Sequence, residues 1–221
     1  MEGYLPLEHA LGWWCVSVPF IGVGLRRMTR RLQEQPEAKF LLGTSGGFVF
    51  VMSALKIPSL TGSCSHPTGV GLGTLLLGPA SMSVLGLVVL LFQALLLAHG
   101  GLTTLGANCF SMAIVGAYVA HGVYRTSIRL QLPHSWAVFA AAAIADQATY
   151  LVTALQLAWA FPDPNSGFRG AAVKFLGVFS LTQLPLAIVE GLVSVVVMNL
   201  LRTHLADVLA VVIKNPEVRE P

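Results

Sequence analysis

The sequence predicts an all-α fold, a polytopic membrane helix bundle of about seven membrane segments, one of them short. Three observations predict it. Charged residues make up 10% of the 221-residue chain and hydrophobic ones 55%, with mean hydropathy +0.74; a soluble domain carries about 25% charged residues. No Asp, Glu, Lys or Arg occurs between Ile57 and Tyr124. The cations are gathered instead into clusters: Arg26, Arg27, Arg30, Arg31 and Lys39; Arg125 and Arg129; Arg202, Lys214 and Arg219. Backbone amides in lipid must be satisfied within their own segment, which selects helices over open strands.

The first expected span covers 10–25 and is followed by RRMTRRLQEQPEAK, the most charged stretch of the chain. The second covers 40–55. The polar loop GSCSHPTG comes next, then a short Gly-rich piece, 68–77, stopped by Gly78-Pro79. A strong span at 81–98 ends at His99-Gly100-Gly101, and another covers 103–123. Pro133 precedes a span at 135–161, which PDPNSGFRG closes with turn-forming residues. The last helix is expected from about Ala171 past Leu201, until Asn215-Pro216 ends it.

Charge decides whether the short piece crosses. A span needs about 20 residues, so length argues against it. The positive-inside rule, however, wants all three cationic clusters in the cytoplasm. The chain between the first and second clusters must then cross an even number of times. Only three strong spans lie there, so the Gly-rich piece supplies the fourth crossing, enclosed by other helices rather than by lipid. The expected arrangement is one integral membrane domain over 1–221, with the N terminus outside, the C terminus cytoplasmic, and 202–221 as a cytoplasmic tail.

Several function classes are disfavoured. The net charge of +3 is too small and too clustered for nucleic acid. The first cation, Arg26, follows the first apolar run instead of preceding it, unlike a signal peptide. Cys15, Cys64 and Cys109 have no metal-ligand spacing and read as small buried residues. GVGLG at 69–73 follows no strand and no GxxxxGK[ST] occurs, so this chain is expected to bind no nucleotide. No acid/base or nucleophile constellation suggests an enzyme.

His66, centred in a polar loop expected to sink between helices on the outer side, is the sharpest candidate. Imidazole suits Co, Ni, Cu and Zn, and the competing reading is a histidine bonded to its own loop. Ser65 adjoins it. His99, at the outer end of its span, reads either as a structural residue or as one that caps or lines the same vestibule, where Asn108 is also expected. His9 reads as a ligand, a residue behind a ligand, or an interfacial residue. His121, His134 and His204 are expected at the inner side. Two intramembrane acids are costly to bury and so mark an interior. Asp146 shares a helix face with Thr149, Tyr150, Thr153 and Gln156, either a cation path or an interhelical hydrogen-bond seam. Glu190 is expected near the inner end, paired with Arg125 or touching a partner subunit. Neither acid is expected beside His66; both read as structural or coupling residues.

The stretches MEGYLPLEHALGWW, SALKIPSLTGSCSHPTGVGLG, LLFQALLLAHGGLTTLGAN and FSLTQLPLAIVEG resemble the CbiM/NikM family across nearly the whole chain. These are substrate-binding components of energy-coupling factor (ECF) transporters for cobalt and nickel. The resemblance implies uptake of Co(II) or Ni(II) together with a transmembrane coupling subunit, ABC-type ATPase subunits and a small accessory membrane subunit of the CbiN/NikN kind. It also implies a metal-site segment at 1–9. In the family a Met-His opening gives the terminal amine, a backbone amide nitrogen and an imidazole, and the SCSHPTG histidine completes a four-nitrogen set. His66 matches that position. The Met-His does not: Met1 offers its amine, but Glu2 stands second. Either the reading frame starts three residues upstream, before the MEGYLP string, or Glu2 or His9 joins His66.

Overall fold

The computed structural model describes residues 5–58 and 64–204. Eight α-helices and one π-helical stretch make seven rods: α1 (Leu7–Glu34), α2 (Ala38–Ala54), α3 (Val70–Leu77), α4 (Pro79–Leu96), a continuous rod of α5 (Leu105–Asn108), a π-helix (Cys109–Gly116) and α6 (Ala117–Arg129), then α7 (His134–Ala160) and α8 (Gly167–His204). Met1, the Asn215-Pro216 helix end and all of the tail after His204 lie outside the described residues. A two-residue antiparallel ribbon, β1 (Ile57–Pro58) with β2 (Cys64–Ser65), is the one departure from an all-helical chain among those described. Its second strand ends immediately before His66.

Helix α1 is longer than its apolar run because the basic stretch continues the same rod. Arg and Glu are good helix formers, and Arg30 Nε pairs with Glu34 one turn on at 2.7 Å. Its buried residues are Ala10, Ser17, Gly24 and Arg31, a seven-residue repeat along one face. At Gly24 an added Cβ would run into the Ala80 carbonyl of α4. The same closeness recurs between α3 and α7, where a Cβ on Gly71 would sit 2.5 Å from Ala142 Cα. Without a solvent-driven hydrophobic force, membrane helices associate through such close backbone approach. The outward faces carry Leu, Val and Phe: Phe92, Leu95 and Leu96 on α4, and Leu184, Ile188, Leu192 and Val196 on α8 are all exposed. Helices α4, α7 and α8 are each long and apolar enough to cross a bilayer.

The short piece is an eight-residue helix, α3, preceded by non-helical chain and enclosed by the rest of the bundle. Every described side chain from Ser65 to Val84 is buried. Irregular backbone at membrane depth is tolerated only where protein encloses it, and here α2, α4, α6 and α7 do so. One cluster packs Leu41, Leu42, Leu75, Leu76 and Leu77 with Met28, Leu32, Val123, Tyr124, Met198 and Leu201. The end of α1, the start of α2 and the ends of α3, α6 and α8 therefore meet, bringing Arg31, Lys39, Arg125 and Arg202 to one end of the bundle. There Arg31 donates to the Leu77 carbonyl at 3.1 Å, closing the carboxyl end of α3. The opposite end holds the His66 loop, His99 and the Asp163 turn.

Candidate metal site

Residues 65–69 run as non-helical chain into the bundle and are held from three sides. The Ser65 hydroxyl meets Thr182 Oγ1 of α8 at 2.6 Å. The Tyr150 hydroxyl of α7 accepts the His66 N–H at 3.0 Å and donates to the His66 carbonyl at 3.2 Å. Gln183 Nε2 donates to that carbonyl at 3.2 Å and to both Asp146 oxygens, at 2.9 and 2.7 Å. Deeper, the Glu190 carboxylate accepts from the Thr68 and Gly69 N–H groups and the Thr68 hydroxyl, the Gly69 bond being 2.9 Å. Gly69 has φ +70°, a left-handed turn that opens α3. A carboxylate at a helix amino end satisfies orphan N–H groups and complements the helix dipole.

This corrects the expectation for Glu190. Glu190 does not sit at the inner end paired with Arg125; α8 runs from Gly167 to His204 and places it in mid-helix, against the first turn of α3. Asp146 is one residue removed from the His66 carbonyl, through Gln183. Along the same face Tyr150 and Gln156 bond to other segments, Thr149 and Thr153 donate to carbonyls of their own helix, and all four line a cavity.

That cavity, of about 640 Å³, lies between the His66 loop, α4, the α5 rod, α7 and α8. Its walls are mostly apolar, with Leu5, Leu90, Met112 and Phe179 among them, and it reaches Asp163 and Lys174 at the α7–α8 turn. Those two residues form a salt bridge beside the Asn165 and Ser166 N–H groups, which the Asp163 carboxylate also accepts; these partners hold its carboxyl well below the usual carboxylate range. Two of the polar side chains that line it are imidazoles. His66 is 7% exposed. Its Nδ1 lies 3.0 Å from the Pro67 carbonyl, which can only accept, so the proton sits there and Nε2 keeps its lone pair. Such a bond orients a metal-ligating histidine. The His99 ring stands 4.8 Å from the His66 ring, centroid to centroid, at an interplanar angle of 75°. Burial, then the neighbouring His66 and Lys56, push His99 down to about 4, leaving a neutral ring with a free lone pair. Lys56 itself is tied to the Leu97 carbonyl at 3.0 Å.

The remaining predicted residues divide. Asn108 lines the cavity and donates to Thr104 Oγ1 at 3.3 Å. Ser65 anchors the loop to α8. His9 instead packs edge-on against Trp159, ring centroids 5.5 Å apart. Met1 lies outside the described residues, although Leu5, four positions on, is on the cavity wall. Among the described residues no three His, Cys, Asp or Glu side chains converge. Sequence reasoning missed Tyr150 and Gln183 as the holders of His66. The signal for Gln183 lay in FSLTQLPLAIVEG, where Gln183 and Glu190 stand seven apart on the face that buries Phe179, Leu186 and Ala187.

Comparison with known proteins agrees with this architecture. The family model described as the CbiM cobalt uptake substrate-specific transmembrane region matches residues 1–208. The cobalt transport protein CbiM of Streptomyces coelicolor is 60% identical over 200 residues, covering 90% of this chain and 86% of that one. Cobalt transport protein CbiM 2 of Pelobacter propionicus is 58% identical over 201 residues, 91% and 89% of the two chains. A crystal structure of a truncated transition-metal transporter superposes with TM-score 0.80 at 25% identity, covering 92% of this chain and 97% of that one. With the family model spanning nearly the whole chain and relatives this close, the protein belongs to the CbiM family.

Proposed function

We propose that this multi-pass membrane protein is the substrate-capturing subunit of an ATP-driven importer for Co(II), taking the metal at nitrogen ligands in the cavity beside His66. The supporting observation is the presentation of His66: a buried imidazole, its Nδ1 occupied and its Nε2 free, on a loop fixed by Tyr150, Gln183 and Glu190. A fixed nitrogen donor in a mostly apolar pocket suits a borderline divalent cation and disfavours Mg(II), which prefers oxygen and an octahedron. The Met1 amine is a further donor in this reading. A segment of four extended residues reaches roughly 14 Å, and Leu5 already lies on the cavity wall.

The cationic end of the bundle is cytoplasmic in this reading and the cavity opens outward. Transport then requires subunits this chain lacks: an ECF coupling subunit, a pair of ABC-type ATPases and a small CbiN-like membrane subunit. The test is cobalt uptake by cells expressing the whole set. Uptake should need ATP hydrolysis and every subunit, and His66→Ala should remove it while the protein level stays unchanged. Undiminished uptake in that variant would leave this chain a structural subunit without a metal site of its own.

A further inference from the structure

We propose that His99 is a direct metal ligand, so that His66 and His99 grip one ion as a pair of imidazoles before or beside any donor from the amino terminus. The inference rests on the reading of this cavity as a metal site and adds a ligand to it. Two imidazoles bound at roughly 2.1 Å to a single ion, at a right angle or slightly wider, have ring centroids about 4.5 to 5 Å apart. The observed separation is 4.8 Å. The rings are neither stacked nor coplanar, and both face the same cavity.

The backbone around His99 is built to hold it there. Ala98, immediately before it, has φ 46°, a left-handed conformation that a residue with a Cβ adopts at a cost, and Gly100, immediately after it, has φ 72°. The His99 N–H donates to the Gln93 carbonyl at 3.1 Å, closing the end of α4 and turning the side chain inward. Strain of this kind persists where the surroundings over-determine it, which is a mark of functional sites. Gln93 adds a second observation. Its side chain is fully buried and lines the cavity, and its Oε1 has no hydrogen-bond partner among the described residues. A water carried by the ion, or the far N–H of a metallated His99, gives that oxygen the donor it lacks.

The full-length chain, loaded with Co(II) alone, is to be compared with His99→Asn, His99→Gln and His66→Ala by X-ray absorption fine structure and equilibrium titration. The wild type should show two imidazoles in the first coordination sphere. Both His99 variants should show one fewer and bind at least tenfold more weakly. Asn and Gln keep a polar group in the loop, so a purely structural histidine would be largely rescued and the imidazole count would not move. If His66→Ala abolishes binding while the His99 variants keep both the count and the affinity, His99 is not a ligand and the reading of the site survives. A wild type with a single imidazole overturns the pair whatever the variants do. If no variant alters binding, both the pair and the reading of the cavity fall.

Discussion

The Glu190 carboxylate of α8 accepts the backbone N–H groups of Thr68 and Gly69, joining the middle of the last helix to the amino end of the shortest one. The loop that carries His66 therefore depends on a residue more than a hundred positions away. With Thr182, Tyr150 and Gln183, this acid holds a non-helical segment inside the bundle.

Replacing Glu190 with Gln puts an amide where two N–H groups and a hydroxyl need acceptors. Hydrogen bonds to a charged group contribute about 1.5 to 3 kcal/mol each, and one acceptor oxygen survives. Glu190→Gln should lower stability by roughly 2 to 3 kcal/mol on that scale, read as a lower melting temperature in detergent, and should weaken Co(II) binding with it. A melting temperature equal to that of the wild type would show that the α3 amino end finds another acceptor.

Tyr150→Phe removes only the hydroxyl that bridges the His66 N–H and carbonyl. The ring still packs on Phe179. A buried N–H left unpaired costs about 1 to 3 kcal/mol, here charged to the loop's position rather than to the whole fold. Metal affinity should fall by about tenfold or more, each factor of ten being about 1.4 kcal/mol, while the melting temperature shifts less than in Glu190→Gln. Equal affinity with and without the hydroxyl would remove Tyr150 from the site.

Gly71→Leu drives a side chain into the backbone of Ala142, where even a Cβ would lie 2.5 Å from Cα. Neither α3 nor α7 can retreat, because α3 is buried on all sides. The variant should fail to accumulate as a monodisperse protein in size-exclusion chromatography. Gly12→Leu, whose Cβ meets nothing within 4 Å, should accumulate normally and serves as the control.

Orientation is tested at Glu37, an exposed residue between α1 and α2 at the cationic end. In a background without Cys15, Cys64 and Cys109, Glu37→Cys should resist an impermeant thiol reagent in intact cells and react after the membrane is opened. Labelling in intact cells would invert the bundle and turn the cavity toward the cytoplasm.

The helix count was legible from charge. Three basic clusters expected on one side ask for an even number of segments between Lys39 and Arg125, and the short α3 was expected on that ground despite its length. At the site, His66 was legible from the polar loop around it, and His99 and Asn108 were expected near the same vestibule; both line the cavity. The contact of the two rings was not legible, because it depends on the left-handed turn at Ala98 and Gly100, which no side-chain pattern announces. Glu190 was misplaced because the level at which α3 begins depends on how far the non-helical chain descends before Gly69. Periodicity puts residues on a face. It does not set the depth at which two faces meet.

The central claim is that His66 is a metal ligand in this cavity. Equilibrium titration of the purified full-length chain with Co(II), beside His66→Ala at a matched melting temperature, tests it most directly. The wild type should bind one ion per chain, and the variant should lose at least a hundredfold in affinity. Equal affinity and stoichiometry in the two proteins would contradict the account, since the loop, its holders and the cavity would then serve something other than the metal.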